Sequence, residues 1–209
     1  MDAGAYIFVL VASYFLGSIP SGYLAGKARG IDVRSSGSGN IGATNAFRVL
    51  GKTAGTIVLL GDVAKGFVAT HCLPLLALKW FPGAAANLEY LELVAGVAVI
   101  LGHNFTCWLN FKGGKGIATS AGVVLAWAPW ACVAALVAWG VVFLVTKYVS
   151  LASIFAALVL PFAVWYWNGS LTMTCVMTAL SALAIYKHKG NIQRLLKGTE
   201  NRIGKKKNK

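Results

Sequence analysis

The sequence predicts an all-α, polytopic integral membrane protein with seven transmembrane helices, an external N-terminus and a cytoplasmic C-terminus. Two features of composition carry the prediction. Apolar residues make up 57% of the 209 residues and charged residues only 12%, where a soluble domain has roughly 25% charged residues. The mean hydropathy is +0.69, and the apolar runs approach the roughly 20 residues that a helix needs to cross a bilayer. These values exclude an ordinary soluble domain.

Seven apolar segments account for the predicted helices. They cover Ala5 to about Ala25, Thr53 to about Leu78, Leu88 to Leu109, Ile117 to about Pro129, Pro129 to Tyr148, Val149 to Trp167, and Leu171 to Tyr186. The run from Ile117 to Tyr148 is too long for one span, and Pro129, near Trp127 and Trp130, is the expected turn within it. Five spans with re-entrant segments remain an alternative there.

The seven helices would use about 140 residues and leave about 69 for loops and a tail, so no separate soluble domain fits. We therefore expect residues 1–209 to form a single membrane-embedded domain, with residues 187–209 as a basic cytoplasmic tail. The last five residues, Lys205 to Lys209, include four lysines. We expect them to attract anionic lipid.

The distribution of basic residues predicts the orientation. The net charge is +13, and 17 of the 19 Lys and Arg residues fall in the odd-numbered loops and the tail. Of the other two, Lys79 lies in an opposite loop and Lys65 lies within a span. Since basic residues collect in cytoplasmic loops, the charge belongs at the cytoplasmic membrane surface, and we expect no nucleic-acid partner.

The first cytoplasmic loop, Ser35 to Arg48, has the composition of a phosphate-binding loop. Small residues let backbone N–H groups converge, and polar side chains add further donors. The candidate ligands are Gly37, Ser38, Gly39, Asn40, Gly42, Thr44, Asn45 and Arg48. The loop formally matches GxGxxG, but it lacks the βαβ context of a dinucleotide site and the Gly-Lys-Ser/Thr of a P-loop. A flexible connection between helices is the alternative.

A second glycine-rich segment, Phe111 to Gly116, immediately precedes the helix predicted to begin at Ile117. It combines two ammonium groups with free amides at a helix N-terminus, where an anion is favoured. Its candidate ligands are Lys112, Gly113, Gly114, Lys115 and Gly116. A basic anchor at the membrane surface is the alternative, which the alternation of glycine and lysine makes less suitable.

Three further residues suggest polar structure inside the membrane. Asp62 and Lys65 are spaced i, i+3 within a span and can neutralise each other on one helix face. A packing role suits this pair at least as well as chemistry. His103 precedes Lys112 by nine residues, or roughly 13 Å along a continuous helix, so we expect it behind the site.

The sequence indicates neither a metal site nor a disulfide. Its four cysteines have no CxxC or Cys/His ligand spacing and lie in or beside apolar runs. We expect no metal and no cofactor. In the tail, His188 and Asn191 are three residues apart and could face one way; a lipid anchor is the alternative for this segment.

Together these segments resemble the PlsY family, the bacterial acyl-phosphate:glycerol-3-phosphate acyltransferases. The similar stretches are GSIPSG from Gly17, GSGNIGATNAFRVLG from Gly37, GDVAKG from Gly61, Gly102-His103, FKGGKG from Phe111, and KHKGNIQRLLKGTE from Lys187. They occur in order over nearly the whole chain, and the two glycine-rich segments are highly specific in combination.

The resemblance implies transfer of a fatty acyl group from acyl phosphate to the sn-1 hydroxyl of glycerol 3-phosphate, which gives lysophosphatidic acid and phosphate. It implies a multi-pass protein of the bacterial cytoplasmic (inner) membrane with its active site on the cytoplasmic face. We expect a monomer whose partners are these two substrates and membrane lipid.

The resemblance also implies residue roles. The expected phosphate ligands are Ser38, Arg48, Lys112, Lys115, Ser150 and Ser153. Asn45, His188 and Asn191 would orient glycerol phosphate, and Ser38, Arg48, Lys115, His188 and Asn191 form the expected catalytic set. We expect Glu200 to pair with a basic neighbour in the tail. The guanidinium of Arg48 offers a two-pronged fork that lysine lacks.

Residue chemistry constrains the mechanism. No histidine is followed by Asp at the fourth or fifth position, so the His-Asp dyad of acyl-CoA-dependent glycerolipid acyltransferases is missing. An acyl phosphate is already activated, so the protein need mainly position the substrates and stabilise negative charge. The resemblance suggests that a substrate phosphate oxygen takes the hydroxyl proton.

Two other functions would also use membrane helices and charged residues. A transporter of an anionic metabolite is the principal alternative, but it would place its cations near the midplane, commonly with internal repeats. A phosphatidyl transferase acting on a CDP-activated lipid would need a carboxylate cluster for metal ions, and the sequence has none.

Overall fold

The computed structural model describes residues 2–204, and within this range all regular secondary structure is helical. The expected lipid-binding lysines from Lys205 onward lie outside the described residues. The helices form two compact units, one ending at Trp127 and the other beginning at Ala128. The all-α membrane class is confirmed. The single-domain organisation stays a prediction.

Seven α-helices form the first unit. They are α1 (Ala3–Ser18), α2 (Ser21–Lys27), α3 (Ala43–Leu50), α4 (Lys52–Phe67), α5 (Leu73–Ala77), α6 (Leu88–Asn104) and α7 (Ile117–Trp127). A π-helical turn, Val68–Cys72, joins α4 to α5, while 3-10 turns cover Pro82–Asn87 and Cys107–Leu109. Pro20 separates α1 from α2, because proline disfavours helical backbone in the residue before it.

Glycines allow α4 and α7 to approach closely. A Cβ atom on Gly66 would lie 2.2 Å from the carbonyl oxygen of Thr119, and one on Gly122 would lie 2.0 Å from that of Val63. Helices in lipid commonly associate through such small residues, because packing and not hydrophobic burial drives their contact. The pairing of α4 with α7 therefore depends on the absence of these two side chains.

Side-chain hydrogen bonds also join α1 to the end of α6. The Tyr14 hydroxyl donates to the carbonyl oxygen of Phe105 at 2.8 Å, and the Thr106 hydroxyl donates to that of Ser18 at 2.5 Å. The loop that leaves α6 is thereby fastened to α1.

Four α-helices form the second unit. They are α8 (Pro129–Thr146), α9 (Val149–Asn168), α10 (Leu171–Lys187) and α11 (Lys189–Leu196). The predicted division of the long apolar run is confirmed, since α7 ends two residues before Pro129, which opens α8. Helix α9 packs against both α8 and α10.

Within residues 2–204, five helical stretches are long and apolar enough to cross a membrane, and α7 and α10 are shorter apolar helices. The 11 residues of α7 extend only about 17 Å, against a hydrocarbon core of about 30 Å. The 17 residues of α10 extend about 26 Å. The count of seven spans and the orientation of the termini stay predictions.

Gly66→Ala should destabilise the protein by about 1–3 kcal/mol, because its Cβ forces α7 away from α4. Gly61→Ala is the matched control in the same helix. Gly61 is exposed, and its Cβ would meet only the Ser21 hydroxyl at 3.8 Å. The free energy of unfolding of Gly61→Ala should therefore stay within about 1 kcal/mol of that of the original protein. Thermal unfolding in detergent measures both, and equal stabilities would contradict glycine-dependent packing.

Candidate active site

The first loop is built around the buried amide of Asn45, at 1% exposure. Its oxygen accepts a hydrogen bond from the backbone N–H of Ser38 at 2.8 Å, while its nitrogen donates to the carbonyls of Val33 and Ser36 at 2.9 and 3.1 Å. The side chain of Asn45 thus shapes the loop from within. It places Ser38, whose own side chain is exposed.

Two glycines of this loop have backbone conformations that favour glycine. The φ angles of Gly37 and Gly39 are +64° and +72°, in the left-handed region. A Cβ on Gly37 would also lie 2.2 Å from the Asn45 amide oxygen. Farther along, the Asn40 side chain accepts from the Gly42 N–H at 2.8 Å, just before α3 begins. Thr44 is exposed in the first turn of α3.

The cations near this loop differ in their partners. Arg34 forms an ion pair with Asp32 at 2.7 Å, and hydrogen bonds from Arg34 lower the pKa of Asp32 to about 2. Arg29 donates to the carbonyl of Leu50 at the end of α3. Arg48 is exposed, and its guanidinium forms neither a hydrogen bond nor an ion pair with any described residue. The guanidinium of Arg48, unlike those of Arg29 and Arg34, is therefore available to bind an anion.

The second glycine-rich segment folds back onto the end of α6. The N–H of Gly113 donates to the carbonyl of Asn104 at 3.2 Å, and that of Gly114 donates to the carbonyl of His103 at 3.0 Å. The expected continuous helix from His103 to Lys112 is wrong, because α6 ends at Asn104. Lys112 is exposed at the start of this return.

The first unit brings the two glycine-rich segments together. Leu109, three residues before Lys112, packs in one buried apolar cluster with Ile41 and Ala46 of the first loop and α3. The first segment and the residues just before the second segment therefore pack in the same buried cluster. Lys115 is half-buried, and Gly116, with φ +82°, leads into α7.

A buried charged group lies behind the second segment. Lys65 donates from its ammonium to Asp62 Oδ1 at 2.9 Å, to the carbonyl of Ile19 at 3.0 Å and to His103 Nδ1 at 2.9 Å. The Ser21 hydroxyl donates to the same Asp62 oxygen at 3.0 Å. The predicted pairing of Asp62 with Lys65 is confirmed. Its link to His103 was missed, because sequence spacing does not show which helices meet.

In the second unit, the Glu200 carboxylate joins the tail to two helices, α9 and α11. It accepts hydrogen bonds from the Ser150 hydroxyl at 2.9 Å, the Asn191 amide at 2.6 Å and the Arg194 guanidinium at 2.7 Å. Burial would raise the pKa of Glu200, but these three hydrogen bonds lower it below its ordinary value. The expected pairing of Glu200 with a basic neighbour is confirmed, and that neighbour is Arg194.

The other predicted residues of the second unit are also buried. His188 precedes α11, and its Nδ1 lies 2.8 Å from the carbonyl of Ala184. A carbonyl can only accept, so Nδ1 donates and Nε2 of a neutral ring is an acceptor. The Ser153 hydroxyl donates to the carbonyl of Val149 at 2.9 Å and accepts from the Trp139 indole at 3.2 Å.

The residues thus fall into two groups, one in each unit. The first unit joins the segment around Ser38 and Arg48 to the segment around Lys112 and Lys115. The second joins Ser150 to Asn191 through Glu200, with His188 at the start of the same short helix as Asn191. The structural roles of Asn45 and Glu200 depend on partners that are distant in sequence or in loops, which residue patterns do not reveal.

The comparison with known proteins decides the family. A family model described as "Glycerol-3-phosphate acyltransferase" matches residues 7–198. The chain belongs to the glycerol-3-phosphate acyltransferase family. Among its curated relatives, the glycerol-3-phosphate acyltransferase of Fusobacterium nucleatum is 45% identical, covering 95% of this chain and 98% of the relative. That of Bordetella pertussis is 44% identical, with coverage of 95% and 92%.

Two crystal structures of PlsY, described as an integral membrane glycerol 3-phosphate acyltransferase, share the fold of this family member. Its glycerol 3-phosphate form matches with a TM-score of 0.85 and 38% identity, covering 95% of this chain and 96% of that one. Its lysophosphatidic acid form matches with a TM-score of 0.82. The family membership confirms the resemblance seen in the sequence and favours an acyltransferase over the transporter alternative.

Glu200→Gln should reduce stability by about 1–3 kcal/mol at pH 7, because three donors lose a charged acceptor. The folded pKa of Glu200 lies below its ordinary value of 4.5. Its stabilisation is therefore complete above that value and is lost as the pH falls through the folded pKa. The stability difference between the original protein and Glu200→Gln should shrink on acidification below pH about 4.5. Unfolding measured from pH 7 to pH 3 checks this, and a constant difference would contradict it.

Proposed function

We propose that this protein transfers a fatty acyl group from acyl phosphate to the sn-1 hydroxyl of glycerol 3-phosphate. The observation that carries the proposal is the family match over residues 7–198. The similar PlsY structures, in a glycerol 3-phosphate form and a lysophosphatidic acid form, support the acceptor and the product. The acyl phosphate donor rests on the resemblance to the PlsY family.

The proposed reaction needs no further reactant. The hydroxyl oxygen of glycerol 3-phosphate forms a bond to the acyl carbonyl carbon, and the bond from that carbon to the phosphate oxygen breaks. The hydroxyl proton leaves on the released phosphate, so atoms and charge balance. Since acyl phosphate is activated, the protein contributes binding, orientation and stabilisation of negative charge.

In the first unit, we assign phosphate binding to the two glycine-rich segments. Arg48, Lys112 and Lys115 supply positive charge, and Ser38 supplies a hydroxyl. The other residues assigned to this site are Gly37, Gly39, Asn40, Gly42, Thr44, Gly113, Gly114 and Gly116. The N–H groups of Gly39, Gly42, Gly113 and Gly114 already donate within the protein, so these glycines contribute by shaping the two segments. Asn45 acts through the loop shape that its hydrogen bonds maintain.

In the second unit, we assign the orientation of glycerol 3-phosphate to His188 and Asn191. The hydrogen bond from His188 Nδ1 to the carbonyl of Ala184 fixes the orientation of the imidazole ring at the start of α11. Ser150 and Ser153 complete the assigned phosphate ligands. Glu200 is a positioning residue, because it holds the side chains of Ser150 and Asn191.

The proposal places this protein in the bacterial cytoplasmic membrane with its active site on the cytoplasmic face, acting as a monomer. The proposed sidedness rests on the 17 basic residues predicted on the cytoplasmic side. Single cysteines at Ser38 and at Lys112 and Lys189, the exposed neighbours of Lys115 and His188, should resist a membrane-impermeant thiol reagent in right-side-out vesicles when they are introduced into a cysteine-free protein. They should react in inverted vesicles or after permeabilisation. Labelling of any of the three from outside intact vesicles would contradict the proposed sidedness.

Acyl phosphate should support turnover, whereas acyl-CoA should support little or none, because this sequence lacks the His-Asp pair expected for that donor. EDTA should leave the activity intact. Among residues 2–204 there is no group of three or more His, Cys, Asp or Glu able to hold a metal ion. The assay measures lysophosphatidic acid formed by purified protein. Robust acyl-CoA turnover would overturn the donor assignment, and EDTA inhibition reversed by a divalent cation would overturn the metal-free mechanism.

Arg48→Lys should lower kcat/KM for glycerol 3-phosphate by about 30-fold or more, since it keeps the charge but loses the fork that binds phosphate. Arg202→Lys is the control. Arg202 is exposed in the tail and donates to the carbonyl of Thr146, a contact that lysine can also make. Its kcat/KM should stay within about twofold of the original. If folded, inserted Arg48→Lys has near-normal kcat/KM, Arg48 contributes only general positive charge and the loop assignment fails.

A further inference from the structure

The ammonium group of Lys65 is surrounded by three acceptors deep in the first unit. Lys65 and Asp62 are only 6% and 2% exposed. Charged side chains inside a membrane span are costly unless they pair and their hydrogen-bonding groups find partners. The oxygens of Asp62 and Ile19 and the Nδ1 of His103 lie 2.9–3.0 Å from the Lys65 nitrogen, one for each of its three protons.

This arrangement sets the orientation of the His103 ring. An ammonium group can only donate, so His103 Nδ1 accepts and the ring proton lies on Nε2. The ring is 4% exposed. Asp62, held by Lys65 and the Ser21 hydroxyl, completes a rigid polar group that joins the second membrane span to the third.

The opposite edge of the same ring lies against Gly114. A Cβ atom on Gly114 would lie 2.1 Å from His103 Nε2, 2.9 Å from Cε1 and 3.0 Å from Cδ2, and these are its three nearest atoms. Gly114 has no positive φ. Glycine is therefore required here by the ring and not by backbone conformation. The ring therefore limits how closely the backbone between Lys112 and Lys115 can approach the end of α6.

We propose that His103 is a positioning residue for the phosphate-binding segment Lys112 to Gly116, and that the buried Asp62–Lys65 pair holds its ring in place. The proposal rests on the proposed function for the identity of the ligand, a substrate phosphate. The buried pair then sets the position of the Lys112 to Gly116 backbone relative to the end of α6. It acts through the Nε2 edge of the His103 ring.

A double-mutant cycle between positions 103 and 114 tests the proposal. Gly114→Ala in the original protein pushes the ring away or lifts the segment, and should raise KM for at least one phosphate substrate by about tenfold or more. The kcat should stay within about threefold, because a displaced segment weakens phosphate binding in the ground state and in the transition state alike. His103→Asn keeps an acceptor for Lys65 but removes the Nε2 edge. In that background, Gly114→Ala should change the same KM by less than about threefold.

Gly113→Ala is the matched control. Its Cβ would lie 2.1 Å from the backbone carbonyl oxygen of His103 and 2.8 Å from the carbonyl carbon of Asn104, atoms that no substitution of the His103 side chain removes. It should raise KM by the same factor in both backgrounds. Should His103→Asn fail to insert as folded protein, His103→Ala clears the same space.

Two outcomes would overturn the inference. One is a Gly114→Ala effect on KM that is equal in both backgrounds, and the other is a loss confined to kcat. Melting temperatures provide a readout that needs no turnover, since Gly114→Ala should lower the melting temperature in the original protein but not in the His103→Asn background. If the original protein fails to use acyl phosphate, the proposed function fails while the melting-temperature cycle still decides the role of His103.

Discussion

A polar group that leaves water within or beside a membrane must find its partners inside the protein, and this constraint organises the structure. Lys65 meets it with three acceptors, and the Asn45 amide meets it with one donor and two acceptors from its own loop. Glu200 meets it with three donors. An unpaired polar group in such surroundings costs several kcal/mol. Each of these residues therefore keeps its partners, and the backbone that carries those partners is held in place.

The same constraint separates supporting residues from those available to a substrate. Arg34 and Arg29 are engaged with a carboxylate and a helix end, respectively. The side chains of Arg48 and Lys112 are exposed and form no hydrogen bond or ion pair with any residue from 2 to 204. Their charges remain to be compensated by a ligand. Because contacts within the first unit hold the backbone of both residues in place, phosphate binding requires little reorganisation. Electrostatic stabilisation is most effective when the charged groups are already in position.

Hydropathy was enough to predict the helical membrane class and most helix positions, and Pro129 was enough to divide the longest apolar run. Local composition also identified both glycine-rich segments. It could not show that Ala43–Leu50 is a helix inside the first, because eight residues are too few for the helical spacing of Ala43, Ala46, Phe47 and Leu50 to stand out from a polar, glycine-rich loop. Nor could it show that Gly114 returns to His103, because that contact depends on where α6 ends. Tertiary partners, such as Ser150 for Glu200 across 50 residues, leave no local signal.

The most direct test of the account is simultaneous measurement of phosphate and lysophosphatidic acid released by the purified, membrane-reconstituted protein. The account predicts equal amounts of the two products when acyl phosphate and glycerol 3-phosphate are both present, and neither product above the protein-free rate when either substrate is omitted. Folded protein that forms no lysophosphatidic acid, or that releases phosphate from acyl phosphate alone, would contradict it.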